Sequence, residues 1–377
     1  MADVMSPFRA AQADPNADAR AAKARGQKVI GYLTNTAPVE LIAASGAFPL
    51  LLTGAPGETS PRADRYMEPL FDPILRSAFE RMLDGRYDFV DAVVLTRTSD
   101  SAHRLYYYLT ELRRTDRPDL PTPLLFDLLH TPWYSSAEYN LARLGELRDA
   151  VGAATGETPS DAALIASISA AEQSRDRLRA FTALRRQSPA PIAAEDALAV
   201  FTASRTMTQA SFDAAIDALL ADPPKAPAAT GPRIVVAGSP LDRPDLHRLV
   251  SAAGGTVVGD YHALGELMIG APVELGGDPV RALCERYHRG VFSSRRYPQD
   301  SKALAAFASE AGADGVVFYF YAEEEALTWE YPAQRRALEA AGVASVCFED
   351  QSYAFDAAAV APRLSDFIQG LARGRAA

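Results

Sequence analysis

Short apolar runs punctuate this chain, and between most of them the apolar residues recur at helical spacing. The first run, Val29 to Leu33, has the length of a strand and leads into a polar loop, Thr34 to Ala37. Pro38 stands at a first helical position, where its missing N–H costs nothing. Val39 to Ser45 continues as a helix, and Gly46 is placed to close it in the left-handed conformation. Phe48 to Leu52 is a second apolar run. The stretch from Lys28 to Gly54 therefore predicts strand–loop–helix–strand, the start of a parallel sheet with a right-handed crossover. Its polar loop leaves the C-terminal end of a strand, where ligands bind in open α/β sheets.

The alternation continues. Pro73 opens a helix whose apolar positions are Ile74, Leu75, Phe79, Met82 and Leu83, with Asp84-Gly85 ending it. Phe89 to Leu95 reads as a buried strand. Thr96 to Ser101 is a polar loop able to cap a helix from Ala102 to Arg114. Pro121 to Leu128 is a strand and Tyr134 to Ala153 a helix. From Ser160 to Leu220 the pattern is helical throughout, with breaks at Ser188 to Pro191 and around Ala203-Ser204. Residues 222–232 carry four prolines and a glycine without periodicity and read as a linker.

A second unit then starts as the first did. Its expected strands are Arg233 to Ala237, Thr256 to Val258, Gly315 to Phe320 and Ala344 to Phe348. Its expected helices are Asp245 to Ala253, Ser301 to Ala311 and Trp329 to Ala341. The predicted class is α/β: two Rossmann/flavodoxin-like domains with parallel sheets, joined by a helical segment, with a cleft between them. The boundaries are 1–27 for a helical or loose N-terminal arm, 28–159 for the first domain, 160–221 for the helical segment, 222–232 for the linker and 233–377 for the second domain.

Composition narrows the function. The 377 residues are 48% hydrophobic and 23% charged, enough chain for two cores. A net charge of −10 argues against a nucleic-acid partner or an anionic membrane and suits a cytoplasmic protein. No apolar stretch reaches membrane-spanning length, and Met1 to Gln27 lacks the apolar region of a signal peptide. The two cysteines, Cys284 and Cys347, exclude a disulfide framework and a four-cysteine metal site. Both sit in apolar patterns and read as core residues. No phosphate-binding glycine loop with its lysine is present, so the chain has no ATP-driven chemistry of its own.

The loops 34–37, 97–101, 238–242 and 320–325 all follow strands and are expected to converge on the cleft. Ser99, Asp100 and Tyr321 are the candidates for chemistry there, and Thr34, Asn35, Glu40 and Ser239 for contacts to substrate. Glu40, in the first turn of its helix, either reaches the ligand or holds the loop. Tyr106, Tyr107 and Tyr108 point in different directions on a helix and read as packing or interface residues. His103 and His130 are at no metal spacing and read as solvated or capping. Glu323 to Glu325 either places carboxylates at the cleft or, the preferred reading, forms a helix N-terminal turn.

The pattern G-x-x-x-x-x-x-P-x-E-L-I-x-A-x-G-A-x-P, carried by Gly31, Pro38, Glu40, Leu41, Ile42, Ala44, Gly46, Ala47 and Pro49, resembles the opening of the 2-hydroxyacyl-CoA dehydratase subunits and the related benzoyl-CoA reductase subunits. The second-domain entry from Gly238 and the run Ala313 to Val317 resemble the same family in the same order. The resemblance implies an acyl-CoA thioester substrate, two related subunits working together, and a separate ATP-dependent activator. It also implies an iron–sulfur cluster held by three cysteines in strand-end loops. At those places this chain has Ser99-Asp100, Gly290 to Ser294, and Phe320-Tyr321-Ala322. The expectation is thus a subunit with no cofactor or metal of its own, a 4Fe-4S cluster residing only in a partner. It would complete an acyl-CoA site as a heterodimer with a cluster-bearing paralogue, or as a homodimer. The alternatives are a stand-alone, metal-free acyl-CoA binding or regulatory protein, or a fold-level likeness alone.

Overall fold

The computed structural model describes residues 3–224, 231–296 and 298–376. It begins with α1 (Ser6–Ala13) and α2 (Ala17–Ala24). The first domain follows as β1 (Val29–Tyr32), α3 (Val39–Ala44), β2 (Phe48–Leu51), α4 (Pro73–Leu83), β3 (Ala92–Thr96), α5 (Asp100–Thr115), β4 (Thr122–Phe126) and α6 (Tyr134–Thr155). A helical segment comprises α7 (Asp161–Arg185), α8 (Ala194–Thr206) and α9 (Gln209–Ala221). The second domain is β5 (Arg233–Gly238), α10 (Asp245–Ala252), β6 (Thr256–Tyr261), α11 (Pro279–Glu285), α12 (Ser301–Glu310), β7 (Gly315–Tyr321), α13 (Glu325–Ala340), β8 (Ala344–Gln351) and α14 (Ala357–Ala376).

The two sheets have one topology. Both are four-stranded and parallel, in the orders β2-β1-β3-β4 and β6-β5-β7-β8. In each, the chain direction across the sheet reverses between the first and third strands, and such reversals open a crevice at the strand C-termini. One device sets the register in both. The Asp91 carboxylate, just before β3, accepts from Val29 N at 2.9 Å. The Asp314 carboxylate, just before β7, accepts from Arg233 N at 2.7 Å.

Several elements depart from the sequence-based boundaries for identifiable reasons. β3 starts at Ala92 rather than Phe89, because residues 87–90 form a turn that aims Asp91 at β1. The expected break at Ala203-Ser204 is absent. Ser204 Oγ donates to Phe201 O within α8, and the helix ends at Thr206, where Thr208 caps α9. α13 begins at Glu325, one turn before Trp329, with the Glu324 carboxylate accepting from Leu327 N. β7 runs on to Tyr321, which matters below. The N-terminal residues are no loose arm: Met5 and Phe8 are buried with Phe181, Phe201 and Phe212, and Arg9 pairs with Asp196 of α8 at 2.6 Å. Residues 225–230 of the expected linker lie outside the described residues.

The helix α7 ties the molecule together. Past its middle Arg175 pairs with the buried Glu40 of α3, which also accepts from Tyr287 Oη at 2.7 Å. At its C-terminal end the fully buried Arg185 pairs with Asp260 of β6 at 2.7 Å and with Glu266 at 3.2 Å. His247 of α10 completes that cluster, 2.6 Å from Asp260. One rigid rod thus engages the first domain through Glu40 and the second through Asp260.

Candidate active-site cleft

The strand-end loops of both sheets line one cleft of about 530 Å³. On the first-domain side, Thr34, Thr36 and Thr96 join their hydroxyls at 2.5 to 3.0 Å, locking the loop after β1 to the end of β3. Asn35 Nδ2 donates to Phe292 O at 2.9 Å and so holds the 291–296 segment against that loop. Ser99 caps α5 by accepting from Ala102 N at 3.1 Å, and Asp100 follows in the first helical turn. The Asp100 carboxylate is paired across the cleft with Arg295. Thr34, Asn35, Ser99 and Asp100 all face this space.

The rest of the lining is acidic, with carboxyls from both domains. Asp72 caps α4, accepting from Ile74 N and Leu75 N, and burial lifts its pKa above the ordinary value against those two bonds. Asp242, in the loop after β5, is pushed up to about 6 by burial even though it accepts from Tyr353 Oη at 2.6 Å. Glu324 is raised to about 7, mainly by burial. Glu323 is raised as well. Burial favours the neutral form of a carboxyl, so each of these groups binds its proton more tightly than an exposed carboxylate does. Leu70 and Trp329, 79% and 80% exposed, stand on the cleft lining.

Three expected site residues are elsewhere. Tyr321 is still inside β7, and strand alternation sends its ring to the face shared by Val317 and Tyr319, away from the cleft. Its ring stands edge-on to Tyr319 and Tyr353, and burial, together with nearby Asp242, holds its hydroxyl well above the usual phenol range. Ser239 is 1% exposed and accepts from Tyr321 N at 3.0 Å, a bond that braces two strand ends. Glu40 is buried under α3 and holds Arg175 and Tyr287, so of its two readings the structural one describes where it lies. Burial alone would raise Glu40, but Arg175 and Arg286 outweigh it and keep its pKa below the usual value.

Asp72 and Arg295 were not legible as site residues. Glu324 does cap a helix as the acidic run suggested, yet it lines the cleft too. Asp72 reads from sequence only as a cap before Pro73, and Arg295 as one of two surface arginines. His130 is partly buried: burial lowers it to about 4, and Nε2 lies 3.3 Å from Arg97 O. Tyr107 is exposed and stacks on His103, 5.0 Å between ring centres.

Residues 34–371 match the family model described as 2-hydroxyglutaryl-CoA dehydratase, D-component. The chain belongs to this family. It is 22% identical over 86% of each chain to the (R)-phenyllactyl-CoA dehydratase beta subunit of Clostridium sporogenes. It is 22% identical to the beta subunit of the (R)-2-hydroxyglutaryl-CoA dehydratase of Acidaminococcus fermentans, over 89% of this chain and 90% of that one. It is 24% identical to one of the benzoyl-CoA reductase subunits of Thauera aromatica, over 78% of this chain and 77% of that one. The matched stretch contains every loop of the cleft. No helix among the described residues is long and apolar enough to cross a membrane.

The family implies an iron–sulfur cluster, and the cleft can be tested for it. Two of the three segments where the resemblance places cluster cysteines bring hydroxyls to this space, Ser99 and Ser293-Ser294; the third reaches it only through Ala322, while Tyr321, at the cysteine position itself, packs into the core. Hydroxyls and a buried phenol are not the soft anionic thiolates such clusters take. The cysteines do not substitute. Cys284 is buried on α11 beside Leu283 and Tyr287, and Cys347 is buried in β8. Burial pushes both thiols up to about 12, so each is a neutral core group. The residues of this cleft do not fit the cluster.

Proposed function

We propose that this chain is a dehydratase- or reductase-type subunit that carries no iron–sulfur cluster and completes an acyl-CoA thioester site beside a cluster-bearing related subunit in the cytoplasm. The observation that carries the reading is that two of the three ligand segments meet in one cleft with serine hydroxyls, Ser99 and Ser293-Ser294, and that the third has a core-facing Tyr321 at its ligand position. The scaffold is retained and the ligands are replaced. The relatives are themselves named as single subunits of CoA-ester enzymes. Exposed Leu70 and Trp329 at the cleft fit a surface that another chain covers. A separate ATP-hydrolysing activator supplies what a chain without a nucleotide loop lacks.

Within the cleft, Arg295 and Asp100 form the polar clasp that orients the thioester. The Ser99 hydroxyl, fixed at a helix start, offers a hydrogen bond to it. Glu324, titrating near 7, holds a proton at neutral pH beside the ligand and can give it or take it back. A second reading rests on one observation: both walls come from a single chain, so the cleft needs no partner to exist. On that reading the chain is a stand-alone, metal-free acyl-CoA binding or regulatory protein.

Anaerobic purification, alone and with a co-expressed related subunit, tests both. Iron, acid-labile sulfide and visible absorbance are measured on each preparation. The proposal expects none in the isolated chain and all three in a stable complex. Cluster in the isolated chain would overturn the reading of the ligand segments. No complex, with CoA-thioester binding by the isolated chain, would establish the second reading instead.

A further inference from the structure

A second cavity, of about 340 Å³, lies on the other side of the loop after β1, between α3 and the helices α7, α8 and α9. Most of its wall is apolar, with Phe48, Leu178, Met207 and Phe212 among its lining. Arg205 of α8 forms part of that wall and is buried, with 7% exposure. Its Nε donates to Phe201 O and its Nη2 to Leu264 O, while Nη1 has no hydrogen-bond partner.

The neighbouring charges do not neutralise it. Glu40 and Glu172 face Arg175 and Arg286, two carboxylates against two guanidiniums. Arg205 enters no ion pair among the described residues; the groups acting on it are the neutral phenol of Tyr32, on the same wall, and, more weakly and from the first cleft, the Asp242 carboxyl. A buried cation with a free N–H is costly unless an anion meets it. The cavity is at the small end of ligand pockets, mostly greasy, with one charged anchor, which is how sites for small amphiphilic ligands are built.

We propose that this cavity binds a small organic acid, its carboxylate on the Arg205 guanidinium and its hydrocarbon part against Phe48, Leu178, Met207 and Phe212. The site is separate from the cleft and stands whether or not the cleft takes a thioester. It would let the level of a free acid set the stability of the helical segment that ties the two domains together.

The test uses the full chain and two probes, hexanoate and 3-phenylpropanoate, with hexanol and 3-phenylpropanol as uncharged matches. Calorimetric titration is expected to show one site, with the alcohols about tenfold or more weaker, the scale of a lost charge-assisted hydrogen bond. Arg205→Met should abolish carboxylate binding and raise the melting temperature of the unliganded protein, because it removes an uncompensated buried charge. Ala171→Phe, which fills the cavity and leaves Arg205 intact, should abolish binding by itself. Arg295→Met, in the cleft, should leave binding unchanged. Equal affinity for acid and alcohol, no binding at millimolar probe, or loss in Arg295→Met with retention in Arg205→Met would each overturn the proposal. So would retention in Ala171→Phe.

Discussion

Glu324 illustrates how one side chain serves the fold and the cleft at once. Its carboxylate caps α13, yet burial lifts its pKa to about 7. The folded state therefore binds a proton that the unfolded chain releases near 4.3. Between those values the native state holds more protons, so stability falls as pH rises from about 4.3 to 7. Glu324→Gln should flatten that part of the pH–stability curve and stabilise the protein near pH 8 by roughly 1 to 2 kcal/mol, measured by urea unfolding across pH. An unchanged slope would show that the carboxyl is solvated rather than buried. At this scale the sequence was readable wherever a residue sat in a loop after a strand, as Ser99 and Asp100 do. It misled at Tyr321 because β7 runs one residue beyond its apolar run, and a single added strand position decides which face a side chain takes. Arg295 was not readable at all. It reaches Asp100 from far along the chain, and nothing local marks such a pairing.

At the scale of elements, the loops of the cleft depend on backbone that side chains cannot occupy. Gly238 ends β5 with φ of +116°, and a Cβ there would press on Tyr319 O and the Phe320 ring. Gly238→Ala should cost about 2 kcal/mol or more in denaturant unfolding, from the unfavourable backbone conformation and the clash together. A loss below half a kcal/mol would mean the β5 end rearranges freely. The helix α7 makes the opposite point. Its amphipathic pattern showed a helix, but the buried partners Glu40 and Asp260 come from distant strands and helices, and pairing across that distance leaves no periodic signal. Arg185→Met should destabilise the protein by about 3 kcal/mol, since it leaves buried Asp260 with His247 alone and buried Glu266 with Arg186 alone. The pH dependence follows the carboxylates. Burial would raise Asp260, yet His247 and Arg185 hold it well below the ordinary range, and Glu40 is held down by Arg175 and Arg286. A depressed folded pKa gives stability that is complete above the unfolded value, near 4, and is lost as pH falls toward the folded value. Acid unfolding below pH 4 should therefore be shallower in Glu40→Gln than in the parent, read by circular dichroism.

At the scale of the molecule, two sheets of one topology turn their reversal points toward each other, and the cleft is a consequence of that symmetry. The parallel-sheet class and the positions of the loops were legible because apolar runs and glycine stops are local. What surrounds the cleft was not, since exposure is a property of the assembled surface. Leu70 and Trp329 are two large apolar groups left in water on its lining. If a related chain covers them, a charge placed there should weaken association while leaving this chain's own stability intact, because neither residue is part of a core. Leu70→Glu combined with Trp329→Glu should weaken the complex by about a hundredfold in sedimentation or titration experiments, the scale set by losing two central apolar contacts. Thermal unfolding of the isolated double variant should stay within about 1 °C of the parent, as expected of exposed positions. The two readings of function part here. A partner-dependent subunit loses the complex, and with it any cluster and activity. A stand-alone thioester protein keeps its binding, changed only by what Trp329 itself contributes to the cleft.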